Sequence, residues 1–293
     1  MERCELTHRE RVCIDVDVAR AQHAAYEDAL RGLGCVIERL PSLPDLPDSV
    51  FVEDTAVVLP ELAIATRPGA RSRRGEVPST AAALAAHRNV IAIVEPGTID
   101  GGDVLHVERQ VFIGISSRTN DAAIAQVRSL VEPYGYTVVA VPVGGALHLK
   151  SAVTYLGGGR LLVNRSLIDV AAFQGLSWID VDPAEPDAAN ALLVDHTVLF
   201  PIAFPRTRER LEKAGVRVVT VDASELAKAE GALTCCSILV EPFGVGGPSP
   251  RDSGEKGHMD AAPHRRGVRR ARNSDPSRHR GHIVPNASSR PIV

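Results

Sequence analysis

Apolar residues in this chain follow helical and strand periods by turns, and the alternation repeats in a fixed order. Residues 17–30 carry apolar positions at helical spacing until Gly32 and Gly34 interrupt them, and residues 36–40 then read as a strand. A proline-rich loop at 41–48 leads into the apolar run 49–59, with Asp48, Glu53 and Asp54 clustered at its mouth. Residues 63–66 predict a strand, 67–75 a basic loop, 79–88 an Ala-rich helix and 90–94 a strand. Strands at 104–107 and 111–115, a helix at 121–131 and a strand at 137–141 repeat that order. It returns from His148 through 161–163, a weak helix near Ala171 and 178–181, and again as 191–194, 197–201, the helix 206–214 and 216–221. One unit of strand, strand, helix and strand recurring at roughly 45 to 55 residues predicts a radial or stacked repeat, each unit burying its strands against its neighbours. Periodicity alone leaves a single α+β domain with mixed sheets equally open.

One further apolar run, residues 233–239, reads as a buried strand with two thiols inside it, Cys235 and Cys236. In a strand adjacent side chains point to opposite faces, so at most one of the two can face a given pocket. A thiol becomes a nucleophile only where its thiolate is stabilised, which directs attention to a base and an acid to orient it. Asp100 precedes Gly101 and Gly102, glycines that permit a sharp turn presenting a carboxylate inward. His148 stands at the start of a predicted strand. Each also has an ordinary reading: a turn aspartate, a structural histidine, and core cysteines behaving as small hydrophobes. Arg67, Arg71, Arg73, Arg74 and Arg118 read equally well as exposed charges.

Composition narrows the class. Among 293 residues only 4% are aromatic, with a single tryptophan, so a base-stacking platform is excluded. No apolar run reaches the ~20 residues that span a bilayer, and the first residues lack the apolar core of a signal peptide. Five cysteines, at 4, 13, 35, 235 and 236, show neither zinc-ligand spacing nor a disulfide framework, which fits a reduced, cytoplasmic setting. From Arg251 onward ten Lys and Arg face four Asp and Glu, whereas residues 1–250 carry 23 against 32. An acidic body suits a cationic substrate. The reading therefore divides the chain into a catalytic domain at 1–243 and a Gly-, Pro- and Arg-rich tail at 244–293, too poor in apolar residues to offset its ordering entropy and expected to be disordered. The tail has no aromatic residue and no recognisable module, so no nucleic-acid partner is expected, and no membrane.

Six blocks carry a resemblance: Pro47-Asp48-Ser49-Val50-Phe51-Val52-Glu53-Asp54, Thr66-Arg67-Pro68-Gly69-Ala70-Arg71-Ser72-Arg73-Arg74, Ile99-Asp100-Gly101-Gly102-Asp103, Ser117-Arg118-Thr119-Asn120, Leu147-His148-Leu149-Lys150-Ser151 and Leu233-Thr234-Cys235-Cys236-Ser237. Together, over residues 3–240, the chain resembles the dimethylarginine dimethylaminohydrolase family of the guanidino-group-modifying superfamily, alongside arginine deiminases and amidinotransferases. The resemblance implies a five-bladed α/β propeller of ββαβ units around a central substrate channel. It implies too that the first unit lacks its N-terminal strand, because the family carries another strand ahead of Cys4. Cys235 matches the nucleophile, His148 the general acid and base, and Asp100 the carboxylate that orients it. Asp48, Glu53 and Asp54 match substrate contacts, Arg73 and Arg118 carboxylate-binding arginines, Ala229 and Glu230 pocket-lining positions, and Leu6 a residue of a mobile lid. The implied reaction converts methylated arginines to citrulline and an amine, with no metal or organic cofactor; the substrate is the only partner required, and a homodimer is left open. An arginine deiminase-like hydrolase and an inactive arginine-binding propeller are the alternatives.

Overall fold

Short apolar runs bounded by turn residues fold into short strands. The computed structural model describes residues 1, 3–241 and 290–293. Helix α1 (Val16–Gly32) comes first; the Asp15 carboxylate caps it by accepting from the amides of Asp17 and Val18, and Tyr26 and Leu30 turn fully inward. Strand β1 (Ala56–Val58) pairs antiparallel with β2 (Ala63–Ala65), and β2 pairs parallel with β3 (Val90–Ala92) after the crossover helix α2 (Val77–Leu84). The same unit recurs as β4 (Val104–Val107), β5 (Gln110–Ile115), α3 (Asp121–Val131) and β6 (Thr137–Pro142). The third, β7 (Val153–Gly157), β8 (Arg160–Val163) and β9 (Ser177–Asp180), crosses over through only a 3-10 turn, Val170–Ala172. The fourth is β10 (Leu192–Val194), β11 (Thr197–Pro201), α4 (Pro205–Lys213) and β12 (Arg217–Val221). After the short helix α5 (Ser224–Ala227), β13 (Ile238–Val240) pairs antiparallel with β14 (Arg290–Ile292) in a fifth sheet.

Five small sheets thus follow one another, as the repeat predicts, in a five-bladed α/β propeller rather than one mixed sheet. First strands of neighbouring sheets touch, β4 against β7, β7 against β10 and β13 against β1, so they line the axis. Second strands are almost wholly buried, whereas the third strands form the exposed rim. Apolar clusters fill the seams: Val57, Leu59 and Ile64 of the first sheet meet Val104, Val111 and Ile113 of the second. Each such fully buried side chain contributes about 1.5–3 kcal/mol. Among the described residues no helix is long and apolar enough to cross a membrane.

The fifth sheet differs from expectation. The strand expected to be missing was the N-terminal one of the first unit; in the fifth sheet the second strand is β14, and Glu38 bridges to Ile292 in parallel on the other side. Arg290–Ile292 therefore form a strand where a disordered tail was expected, and Ile292 fills an apolar slot in which it is fully buried. Residues 244–289 of that expected tail lie outside the described residues.

Candidate active site

The chain reaches each axial strand through a turn, and those turns carry the chemistry. A 3-10 turn at Val52–Thr55 precedes β1 and holds Glu53 and Asp54; another at Gly101–Asp103 precedes β4 with Asp100 as its cap. His148 caps the 3-10 turn Leu149–Ser151 ahead of β7, Asn190 stands just before β10, and Cys235 lies in the 3-10 turn Thr234–Cys236 ahead of β13. Two expectations are corrected here. His148 and the paired cysteines sit on turns, not in strands, because the strands start only where side chains begin to pack between blades. The turn still separates the thiols: Cys236 is fully buried with Sγ directed at the Ala232 carbonyl, while Cys235 is half-buried.

His148 Nε2 lies 3.0 Å from Asp100 Oδ2, and its Nδ1 faces Asp54 Oδ1 at 3.8 Å. Asp100 is held in turn by the Gly69 amide at 2.9 Å. Burial opposes the charged imidazolium, yet the carboxylates of Asp54, Asp103 and Asp100 outweigh it and push His148 up to about 9. Asp103, which the sequence reading left without a role, is fully buried; it accepts from the Leu149 amide at 2.9 Å and from the Ser116 and Thr119 hydroxyls at 2.6 Å, which ties the His148 turn to β5. Gly101 and Gly102 serve another purpose than the one expected. Neither has a positive φ. A Cβ on Gly101 would lie 1.9 Å from the Glu53 carbonyl, and one on Gly102 would lie 2.6 Å from His148 Nδ1. They are glycines because two blades meet there.

Around this pair stand acids with fixed partners. Arg73 was expected to grip a substrate carboxylate; its guanidinium instead binds Asp54, Glu76 and the Phe51 carbonyl, the last at 2.9 Å, and is 5% exposed. It cannot leave without stranding two buried carboxylates. Burial works against the Asp54 anion, but His148 and Arg73 more than compensate and hold its carboxyl below the usual range. Glu53 meets Lys150 Nζ and accepts from Thr234 Oγ1 at 2.7 Å, with burial raising its carboxyl above normal. Asn190 closes the ring by donating to Thr234 Oγ1 at 2.9 Å. Lys150, Asn190 and Thr234 were missed, although each occupies the position ahead of an axial strand that the repeat marks out. Burial, then the Glu53 and Asp54 charges, push the Cys235 thiol well above its ordinary value.

The segment from Cys4 to Arg9 lies across the site. The Asp48 carboxylate accepts from the Glu5 amide at 3.1 Å, and Arg118 donates to Thr7 Oγ1 at 2.9 Å. Glu230 takes the amides of Thr7, His8 and Arg9 at 2.9, 2.5 and 2.6 Å, from a left-handed backbone with φ 59°. Leu6 is half-buried against the core and Ala229 is buried beneath it. A cavity of about 410 Å³ follows the axial strands and reaches Glu53, Lys150 and Thr234; another of about 270 Å³ is lined by His8, Ser151, Asn190 and Glu230. Asp54, Asp100 and His148 offer ligand atoms within 4.8 Å of one another, a spacing that a cation could bridge. Every one of them is already engaged with a protein partner: Asp54 with Arg73 and the Gly102 amide, and Asp100 with His148 and the Gly69 amide.

The pattern of the family described as "N,N dimethylarginine dimethylhydrolase, eukaryotic" matches residues 7–172. The N(G),N(G)-dimethylarginine dimethylaminohydrolase of Streptomyces coelicolor is 42% identical over 234 residues, covering 80% of this chain and 90% of the relative. The structure of a cysteine-to-serine variant of the Pseudomonas aeruginosa enzyme, complexed with citrulline, superposes with a TM-score of 0.75 at 35% identity, covering 79% of this chain and 91% of that one. A second structure, an adduct of a histidine-to-glycine variant with S-methyl-L-thiocitrulline, has the same score and identity, covering 79% and 92%. The chain belongs to the dimethylarginine dimethylaminohydrolase family.

Proposed function

We propose that the protein hydrolyses asymmetric dimethylarginine and monomethylarginine to citrulline and dimethylamine or methylamine, with Cys235 as nucleophile, His148 as general acid and base and Asp100 as the residue that orients His148. The observation that carries this reading is the buried His148–Asp100 hydrogen bond of 3.0 Å, with Asp54 3.8 Å from the other ring nitrogen and Glu53, the neighbour of Asp54, joined through Thr234 to the Cys235 turn. The citrulline complex and the thiocitrulline adduct of relatives support it.

The roles follow from charge. Asp54 and Glu53 hold a planar cation by paired hydrogen bonds, and Arg118 takes the substrate carboxylate. In the free protein burial, together with the same two acids, keeps the Cys235 proton on sulfur. A guanidinium entering between them reverses that field and releases the thiol proton to solvent. The thiolate attacks the central guanidinium carbon, and the C–N bond to the methylated nitrogen breaks as the His148 imidazolium gives that nitrogen its proton. An S-alkylthiouronium remains on Cys235. The neutral imidazole then accepts a proton from water, the hydroxide adds to the same carbon, and the C–S bond breaks as the added hydroxyl loses its proton to solvent, leaving citrulline and thiolate. Arg73 positions Asp54, and Lys150 and Thr234 position Glu53.

The setting proposed is cytoplasmic, in keeping with five cysteines that are all free thiols, and the substrate is a free small molecule. Citrulline release, compared for asymmetric dimethylarginine, monomethylarginine and arginine, tests the reading. Release from the methylated substrates and not from arginine is expected. Release chiefly from arginine would make the protein a deiminase, and none from folded protein would make it a binding propeller.

A further inference from the structure

Between β13 and residues 38–40 lies a gap one strand wide, with a hydrogen-bonding edge on each side. On one side Ile238, Leu239 and Val240 pair antiparallel with Ile292, Pro291 and Arg290. On the other the amides of Glu38 and Leu40 donate to the Pro291 and Val293 carbonyls at 3.0 and 2.8 Å, and the Val293 amide donates back to Glu38 at 2.9 Å. We propose that this gap is a strand-acceptor site, filled by the chain's own Arg290–Val293 and selective for an extended peptide with an aliphatic side chain in the place of Ile292.

Three observations carry the proposal. Ile292 is fully buried among Val52, Ala56, Ala63, Leu84, Ile238 and Val240, a socket built from two blades. Pro291 stands where a missing amide costs nothing. Strand amides alternate sides, so its nitrogen faces Val36, which is 54% exposed and lies before the parallel pairing begins at Glu38. Finally, 48 residues separate Glu241 from Arg290, so no tight turn sets the register and the socket itself must do so. An occupant whose register comes from the site can be supplied in trans, as in strand addition to a sheet edge.

Occupancy bears on the reactive turn. β13 begins three residues after Cys235, and Ser237 between them shares a 2.6 Å hydrogen bond with Tyr26 of α1, the helix that leads into residues 38–40. Both walls of the gap are thus tied to one side chain. An empty gap leaves two unpaired edges and loosens the strand that anchors the thiol.

Hydrogen exchange at the amides of Glu38 and Leu40 tests the site in three proteins: the full chain, a chain ending at Ser289, and Ile292→Asp. Both altered proteins are expected to exchange these amides at least tenfold faster and to melt about 10 °C lower. A millimolar peptide of residues 286–293 is expected to restore protection to the shortened chain, and the same peptide with Ile292→Asp is not. Unchanged protection in the shortened chain, or no rescue by the peptide, overturns the proposal. Should the shortened chain not fold, full-chain Ile292→Ala is expected to bind the labelled peptide more tightly than the unaltered protein does, and equal binding overturns it. The exchange readout is independent of the proposed reaction; lost citrulline release with protection intact would count against the catalytic reading alone.

Discussion

His148 and Asp100 share a 3.0 Å hydrogen bond in a place where water has almost no access, Asp100 fully buried and His148 5% exposed. Such a bond fixes both the tautomer and the orientation of the ring, and it stabilises the imidazolium that must protonate the leaving amine. Asp100→Asn keeps the shape and removes the charge. It is expected to lower kcat by roughly 10³-fold, with KM within a few-fold of the unaltered protein. A fall of less than tenfold would remove Asp100 from the mechanism.

The pH profile follows from two opposite charges. Below pH 9 the free protein holds His148 protonated, since its neighbours push it up to about 9, and Cys235 as a neutral thiol, raised well beyond its usual range by burial and by Glu53 and Asp54. The reactive pair is thiolate with imidazolium. Its share therefore grows about tenfold per pH unit until His148 itself begins to lose its proton, and kcat/KM climbs toward a plateau near pH 9. In the complex the guanidinium lowers the thiol, so kcat levels off at a lower pH than kcat/KM does. Steady-state rates from pH 6 to 10 check this; a kcat/KM that is flat or falling between pH 7 and 9 would contradict it.

Arg73 and Arg118 separate by their partners. Removing Arg73 strands the buried carboxylates of Asp54 and Glu76, so Arg73→Ala is expected to cost about 3–5 kcal/mol in urea unfolding. Arg118 faces Thr7 of the overlying segment and lies 3.9 Å from the buried Asp100 carboxylate, and Arg118→Ala is expected to raise KM ten- to a hundredfold at a smaller cost in stability than Arg73→Ala. The reverse pattern would restore Arg73 as the carboxylate anchor.

Glu230 fastens the overlying segment through three backbone amides. Glu230→Gln keeps one acceptor oxygen and loses the charge, at a cost of about 1–2 kcal/mol, which corresponds to a KM roughly tenfold higher. Limited proteolysis between Thr7 and Arg11 should quicken in parallel. An unchanged KM with an unchanged cleavage rate would show that the segment is held by other means.

Much of this was legible in the chain. The alternation of strand and helix periods marks out the first four blades, since apolar strands of three to six residues and, in all but the third, crossover helices each leave their own spacing. The fifth blade was not legible: a three-residue strand at Arg290–Ile292 has no period, and its partners lie some fifty and some two hundred and fifty residues away. The site was partly legible. Cys235, His148 and Asp100 came from the family resemblance, and the structure brings His148 and Asp100 together. That Gly101 is required by a close approach of backbone and Gly102 by the His148 and Asp54 side chains was not legible, because sequence reports neither φ nor neighbours. It misread Arg73 because burial with Asp54 and Glu76 depends on how the Arg71–Glu76 turn docks. Lys150, Thr234 and Asn190 would have emerged from aligning the five turns that precede the axial strands.

The most direct test of the central claim is the covalent intermediate. Protein mixed with asymmetric dimethylarginine and quenched in acid within one turnover should carry the amidino-ornithine group left after loss of dimethylamine, and peptide mapping should locate it on Cys235. Cys236→Ser should leave the adduct in place and Cys235→Ser should abolish it. An adduct on Cys236, or citrulline formation by Cys235→Ser, would contradict the account.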